Sequence, residues 1–225
     1  MIKSAGRRTA RQSPMPRSLD TLNPRAALIE IAQDFHGRGW MAGTAGNLSI
    51  RDPIEPSGFW ITASGLAKGR LTDDDFLRIA IADGQVVERF HDSAKPSAET
   101  AIHRVIYQLF PDTRACLHVH SVAACTATAQ CAADCGELPL PPLEMLKGLG
   151  VREERPAVVL PLFPNYADVP AIAAAIRQRF TTTPPALPAL MIHSHGTTVW
   201  GDSAQEAYDR VEIVEFLMSY LALRS

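Results

Sequence analysis

The chain has 225 residues, 46% of them hydrophobic and 20% charged, with a formal net charge of −2. That is the make-up of an ordinary globular protein, long enough for one sizeable core. No apolar run is long enough to span a membrane, and a near-even charge balance carries no basic field for nucleic acid, so any anion site must be local.

Residues 1–19 hold Lys3, Arg7, Arg8, Arg11 and Arg17 with no acidic residue, and read as a disordered basic tail or a transit peptide ahead of one domain over residues 20–225. Asn23-Pro24 supplies a cap and a first-turn proline, and Ala27, Leu28, Ile31 and Phe35 share one face up to Gly37 and Gly39, which predicts an amphipathic helix. Strand-like runs follow at 47–51, 59–62 and 77–82, and Asp83-Gly84 marks a hairpin before 85–88. Ser97 can cap a helix through Leu109, which Pro111 stops. The apolar run 115–119 reads as a buried strand leading into a helix from Ser121. After a proline-rich stretch at 139–142, helices are expected at 144–149 and 169–180. Strands at 189–193 and 197–200 then precede a helix opened by the capping box Ser203 to Glu206. Strands and helices mix without regular alternation, which predicts an α/β, three-layer α/β/α domain around a largely antiparallel sheet.

Four cysteines, Cys116, Cys125, Cys131 and Cys135, occur with no signal-peptide pattern and read as free thiols of a cytoplasmic protein. Cys131 and Cys135 resemble half a zinc pair, but no second pair follows.

His118-Val119-His120 ends a predicted strand, where side chains two apart point to one face, so both imidazoles can approach one ion. Zinc favours imidazole and needs three or four ligands. A third can come from His193-Ser194-His195-Gly196, at the end of another apolar strand. Only one of those two histidines is required. His195, before a glycine that permits a sharp turn, is the better candidate, while His193 would orient a neighbour or bind substrate. His36, His91 and His103 lack partners at ligand spacing and read as structural or surface residues. Glu99 and Glu144, set among small or apolar neighbours, are the candidate proton carriers; helix-end stabilisation is the plainer role for either. Two glycine-containing loops, Gly43-Thr44-Ala45-Gly46-Asn47 and Thr62-Ala63-Ser64-Gly65, the latter followed by Lys68, offer N–H groups, hydroxyls and an ammonium to a phosphate.

The motifs GTAGNLSIRD, ITASGLAKGRL, KPSAETAIHRVIY, HVHS and HSHGTTVWG, in that order, make the chain resemble the class II (zinc) aldolase/epimerase family from about residue 22 to its end. The resemblance implies one zinc per subunit on His118, His120 and His195, and a phosphorylated keto sugar as substrate. It places the phosphate on Gly46, Asn47, Ser64 and Gly65, with Ser97 and Lys68 nearby. It also implies a homotetramer with each site near a subunit boundary. Within the family, Glu144-Met145-Leu146-Lys147-Gly148, the run at 161–165 and Val199-Trp200-Gly201 look most like the dehydratases, in which the glutamate matching Glu144 is the acid/base. The aldolases rely instead on the glutamate matching Glu99, and this sequence holds both.

Overall fold

The computed structural model describes residues 18–132, 134–154 and 156–224. Most of the expected basic tail lies outside the described residues. Its last residue belongs to the core instead: Leu19 is buried in a short 3-10 helix (Leu19–Thr21), where Asp20 accepts a hydrogen bond from the Ala204 N–H at 2.7 Å.

Asn23 caps α1 (Pro24–Gly37) by accepting from the Ala26 N–H, as the Asn-Pro pair predicts. Then follow β1 (Asn47–Arg51), β2 (Gly58–Thr62), β3 (Phe76–Ala80), β4 (Val86–Arg89), α2 (Thr100–Leu109), β5 (Ala115–Val119) and α3 (Val122–Ala129). The second half holds β6 (Glu137–Pro139), a 3-10 helix (Glu144–Leu149), β7 (Val159–Phe163), α4 (Val169–Thr182), β8 (Ala189–Ile192), β9 (Gly196–Gly201) and α5 (Ala204–Ala222).

One nine-stranded sheet runs in the order β4-β3-β2-β1-β5-β9-β8-β7-β6. It is antiparallel except where β7 meets β8. β5 divides its side chains by alternation: Ala115, Leu117 and Val119 enter the core shared with α1, α3 and α5, and Cys116 enters the core shared with α2 and α4. Helices therefore cover both faces, in the three-layer arrangement expected.

Three local expectations change. β6 and β7 are unanticipated strands, because Pro139 and Pro161 argue against strand; pairing puts Pro139 on the edge strand β6, and Pro161 faces β6 just before the register of β7 with β8 begins at Leu162. Residues 144–149 form a 3-10 rather than an α-helix and stop at Gly150, whose φ is +88°. α2 begins at Thr100, with Glu99 as its cap residue; Ser97 Oγ accepts from the Glu99 N–H at 3.3 Å, one step before the helix.

Gly196 opens β9, paired with Ile192 and next to the partner of Val119, and a Cβ there would collide with the Val119 carbonyl. The left-handed residue of the preceding turn is Ser194, at φ 50°, so close approach rather than a sharp turn is what demands glycine at 196. Gly196→Ala should therefore destabilise the protein by about 1–3 kcal/mol, read as a lower urea midpoint with unchanged slope. An unaltered midpoint would show that the two strands can part freely.

Candidate metal centre and active site

The register of three strands builds the site. Asn47 on β1 and Thr198 on β9 both pair directly with His118 on β5, so these three polar side chains stand in a row on one face of the sheet. His120, just past the end of β5, forms a bridge with Met41. His195 lies in the turn between β8 and β9, with its carbonyl facing the Cys125 thiol and the neighbouring Ser194 N–H donating to Thr128 Oγ1 at 2.9 Å.

These placements bring three imidazole nitrogens together. His120 Nε2 lies 2.8 Å from His118 Nε2 and 3.0 Å from His195 Nε2. Glu99 Oε1 faces all three, at 3.3 Å from His118, 3.9 Å from His120 and 2.9 Å from His195. Among the described residues these four form a group able to hold a metal ion. Four donors around a tetrahedral ion bound at about 2.0–2.1 Å stand roughly 3.3 Å apart, close to the spacing found.

The ring orientations fit the same purpose. His118 Nδ1 faces Thr198 Oγ1 at 2.9 Å, and His195 Nδ1 faces Asn165 Oδ1 at 3.2 Å. With each Nδ1–H donating to that oxygen, the Nε2 lone pair is left free and aimed inward. Burial and the neighbouring imidazoles lower the His120 pKa to about 3, so its ring is neutral and can ligate. For Glu99, burial alone would raise the pKa, but His118 and His195 outweigh it and hold the carboxyl well below its ordinary value. Glu99 is therefore ionised. His193, the alternative ligand, turns away and places Nε2 3.1 Å from the Cys131 carbonyl.

The expected phosphate residues are only partly assembled as foreseen. Ser64 and Gly65 are exposed at the end of β2, and the Ser64 N–H already donates to Lys95 O at 2.9 Å. Gly46 has φ +74° and no room for a Cβ, which would meet Met41 and the His118 carbonyl. Ser97 is half-buried beside Asn47, at 3.5 Å. Lys68 does not face an open cradle: it is 1% exposed, and its ammonium donates to Thr44 O and Leu66 O, both at 2.9 Å. It thus clamps one glycine loop to the other. Glu144 also departs from expectation, being exposed and ion-paired with Lys147 at 2.7 Å, outside the cluster of its own chain.

Asn47 and His103 make up the part that residue spacing missed. The Asn47 amide donates to Glu99 Oε2 rather than turning toward an anion, and its Oδ1 lies 2.6 Å from His103 Nε2. His103 Nδ1 lies 2.7 Å from Ser49 Oγ, which lies 2.9 Å from the Tyr107 hydroxyl. His103 falls four residues after Glu99, one helical turn on, the only sequence signal that could have joined them.

Burial lowers the His103 pKa to about 3, so it is neutral when folded and protonated at ordinary acid pH when unfolded. The unfolded chain binds the extra proton below about pH 6.5, and stability falls by up to about 1.4 kcal/mol per pH unit from there toward pH 3. Urea unfolding of chelator-treated protein from pH 7 to 4.5 should show that loss. His103→Gln should have a shallower slope, and an equal slope in both proteins would contradict a buried neutral ring.

Comparison with known proteins accords with this geometry. A methylthioribulose-1-phosphate dehydratase of Microcystis aeruginosa is 52% identical across 88% of this chain and 95% of the relative. Its namesake in Leptospira biflexa is 40% identical across 91% and 99%. The crystal structure of YgbL from Escherichia coli superposes with a TM-score of 0.74 at 25% identity, covering 89% of each chain. The profile of the class II aldolase and adducin N-terminal domain matches residues 26–221, and the chain belongs to that family.

Proposed function

We propose that this protein is a zinc-dependent lyase of methionine salvage, dehydrating 5-methylthioribulose 1-phosphate to 2,3-diketo-5-methylthiopentyl 1-phosphate and water. The observation that carries this reading is the ionised Glu99, one oxygen of which faces a point shared by three imidazole nitrogens. Zinc on His118, His120 and His195, one per subunit, would supply a Lewis acid for the C2 carbonyl and C3 hydroxyl oxygens. Glu99 Oε1 takes the C3 proton. Glu144 gives a proton to the departing C4 hydroxyl, and the enol left behind tautomerises to the diketone. Its exposed carboxylate would do so in a homotetramer, where it meets a neighbouring subunit's centre. The phosphate lies against Gly46, Ser64, Gly65 and Ser97, with the two glycine loops held together by Lys68.

A cleft of about 450 Å³ opens beside the metal centre, lined by His120, Val122, Cys125, Asn165 and His195. It suits the methylthio end better than Leu146 or Leu149, which are buried in the core. Free thiols at all four cysteines support a cytoplasmic setting. No helix among the described residues is long and apolar enough to cross a membrane.

A second reading, a sugar-phosphate aldolase that deprotonates the C4 hydroxyl and breaks C3–C4, is favoured by the position of Glu99 in the centre while Glu144 stands outside it. Incubation with methylthioribulose 1-phosphate, with and without chelator, separates the two. The dehydratase yields the diketone, loses activity to the chelator and regains it with zinc; two smaller fragments would establish the aldolase. Glu99→Gln and Glu144→Gln should each lower turnover by about two to four orders of magnitude, and near-normal turnover in either variant would remove that residue from its role.

A further inference from the structure

We infer that His103 is a positioning residue: acting through Asn47, it holds one oxygen of the Glu99 carboxylate so that the other faces the meeting point of the three imidazoles. The inference rests on the reading of Glu99 as the proton carrier. Glu99 occupies the cap position of α2 but makes no side-chain capping bond, so the helix does not fix its rotamer. What anchors it is the Asn47 amide, which donates to Oε2 and leaves Oε1 to the cluster.

That anchor works in only one orientation. An asparagine amide turned by half a circle would present its oxygen to the carboxylate, and two acceptors would then repel. His103 decides between the orientations, because its Nε2–H donates to Asn47 Oδ1 at 2.6 Å and leaves only Nδ2 to face Glu99. With Nε2 as the donor, His103 Nδ1 accepts from the Ser49 hydroxyl at 2.7 Å, a hydroxyl that also lies 3.2 Å from the Cys116 carbonyl, and Ser49 then accepts from the Tyr107 hydroxyl at 2.9 Å. Each donor in this series points the next.

The setting makes a purely structural purpose costly. Ser49 and His103 are 0% exposed, and Asn47 and Tyr107 2%, between the sheet and α2 where apolar side chains would pack without any polar group to satisfy. The series leads to the one carboxylate in the metal centre. A second buried carboxylate, Glu215 on α5 in the opposite helical layer, accepts from Thr197 of β9 and has no hydrogen bond to the series.

A double-mutant cycle over His103 and Glu99 tests the inference, with kcat, KM and metal affinity by chelator competition measured on folded protein. His103→Leu should lower kcat about 10–100-fold with KM within about threefold, and weaken metal binding about tenfold. In a Glu99→Gln background the same substitution should change each quantity less than about threefold. His103→Gln, which keeps an N–H near the place of Nε2, should recover most of the loss. If His103→Leu does not fold, Ser49→Ala takes its place in the cycle and should show the same dependence on Glu99. Equal losses in both backgrounds, or a folded His103→Leu with normal kcat and metal affinity, would overturn the positioning role. The metal titration needs no substrate: coupling there without turnover of methylthioribulose 1-phosphate by the unaltered protein would sink the dehydratase reading and leave the positioning role standing.

Discussion

Three imidazole lone pairs aimed at one point repel one another unless a cation lies between them, and the surrounding structure has to hold them there. The restraint comes from strand register. β5 lies between β1 and β9, so His118 has Asn47 on one side and Thr198 on the other, each with a polar atom directed into the site. The close approach of Gly196 to Val119 then brings the β8–β9 turn near enough for His195 to reach the same point. A slip of one residue in either pairing would send His118 to the opposite face and into the apolar core.

The same register brings together the two glycine loops proposed to hold the phosphate. The glycine loops are the approaches to β1 and the exit from β2, adjacent strands, so they arrive side by side. Lys68 joins them by donating to a carbonyl in each segment, and burial lowers its pKa. Its charge reaches the site, where it helps to lower the His120 pKa, and Glu99 acts on it in return, although the ammonium itself is occupied.

Electrostatics and packing meet at Glu99. His118 and His195 offset the burial of its carboxyl and hold it well below the ordinary carboxylate range, the state that the proposed proton transfer requires. Orientation is supplied from behind by amide, imidazole and hydroxyl groups on β1 and α2. Charge and direction thus come from different sides, and the two can be altered separately by substitution.

Much of this was readable in the chain itself, because local signals were strong: Asn23-Pro24 for α1, the apolar run 115–119 for β5, Ser121 and Ser203 as caps, and two histidines at strand spacing. β6 and β7 were not, since a proline argues against a strand until pairing shows that its missing donor is not needed there. The family motifs named the three imidazoles and Glu99 as site residues, yet which side chains satisfy one another is a matter of contact between distant segments. Asn47 turned to Glu99, Lys68 on two carbonyls, and His103 in the buried series all depend on pairings 24 to 56 residues apart. Sequence patterns therefore determined the candidate ligands and the family. Only the tertiary structure decided where each donor points, because a hydrogen bond depends on direction and no spacing along a chain encodes it.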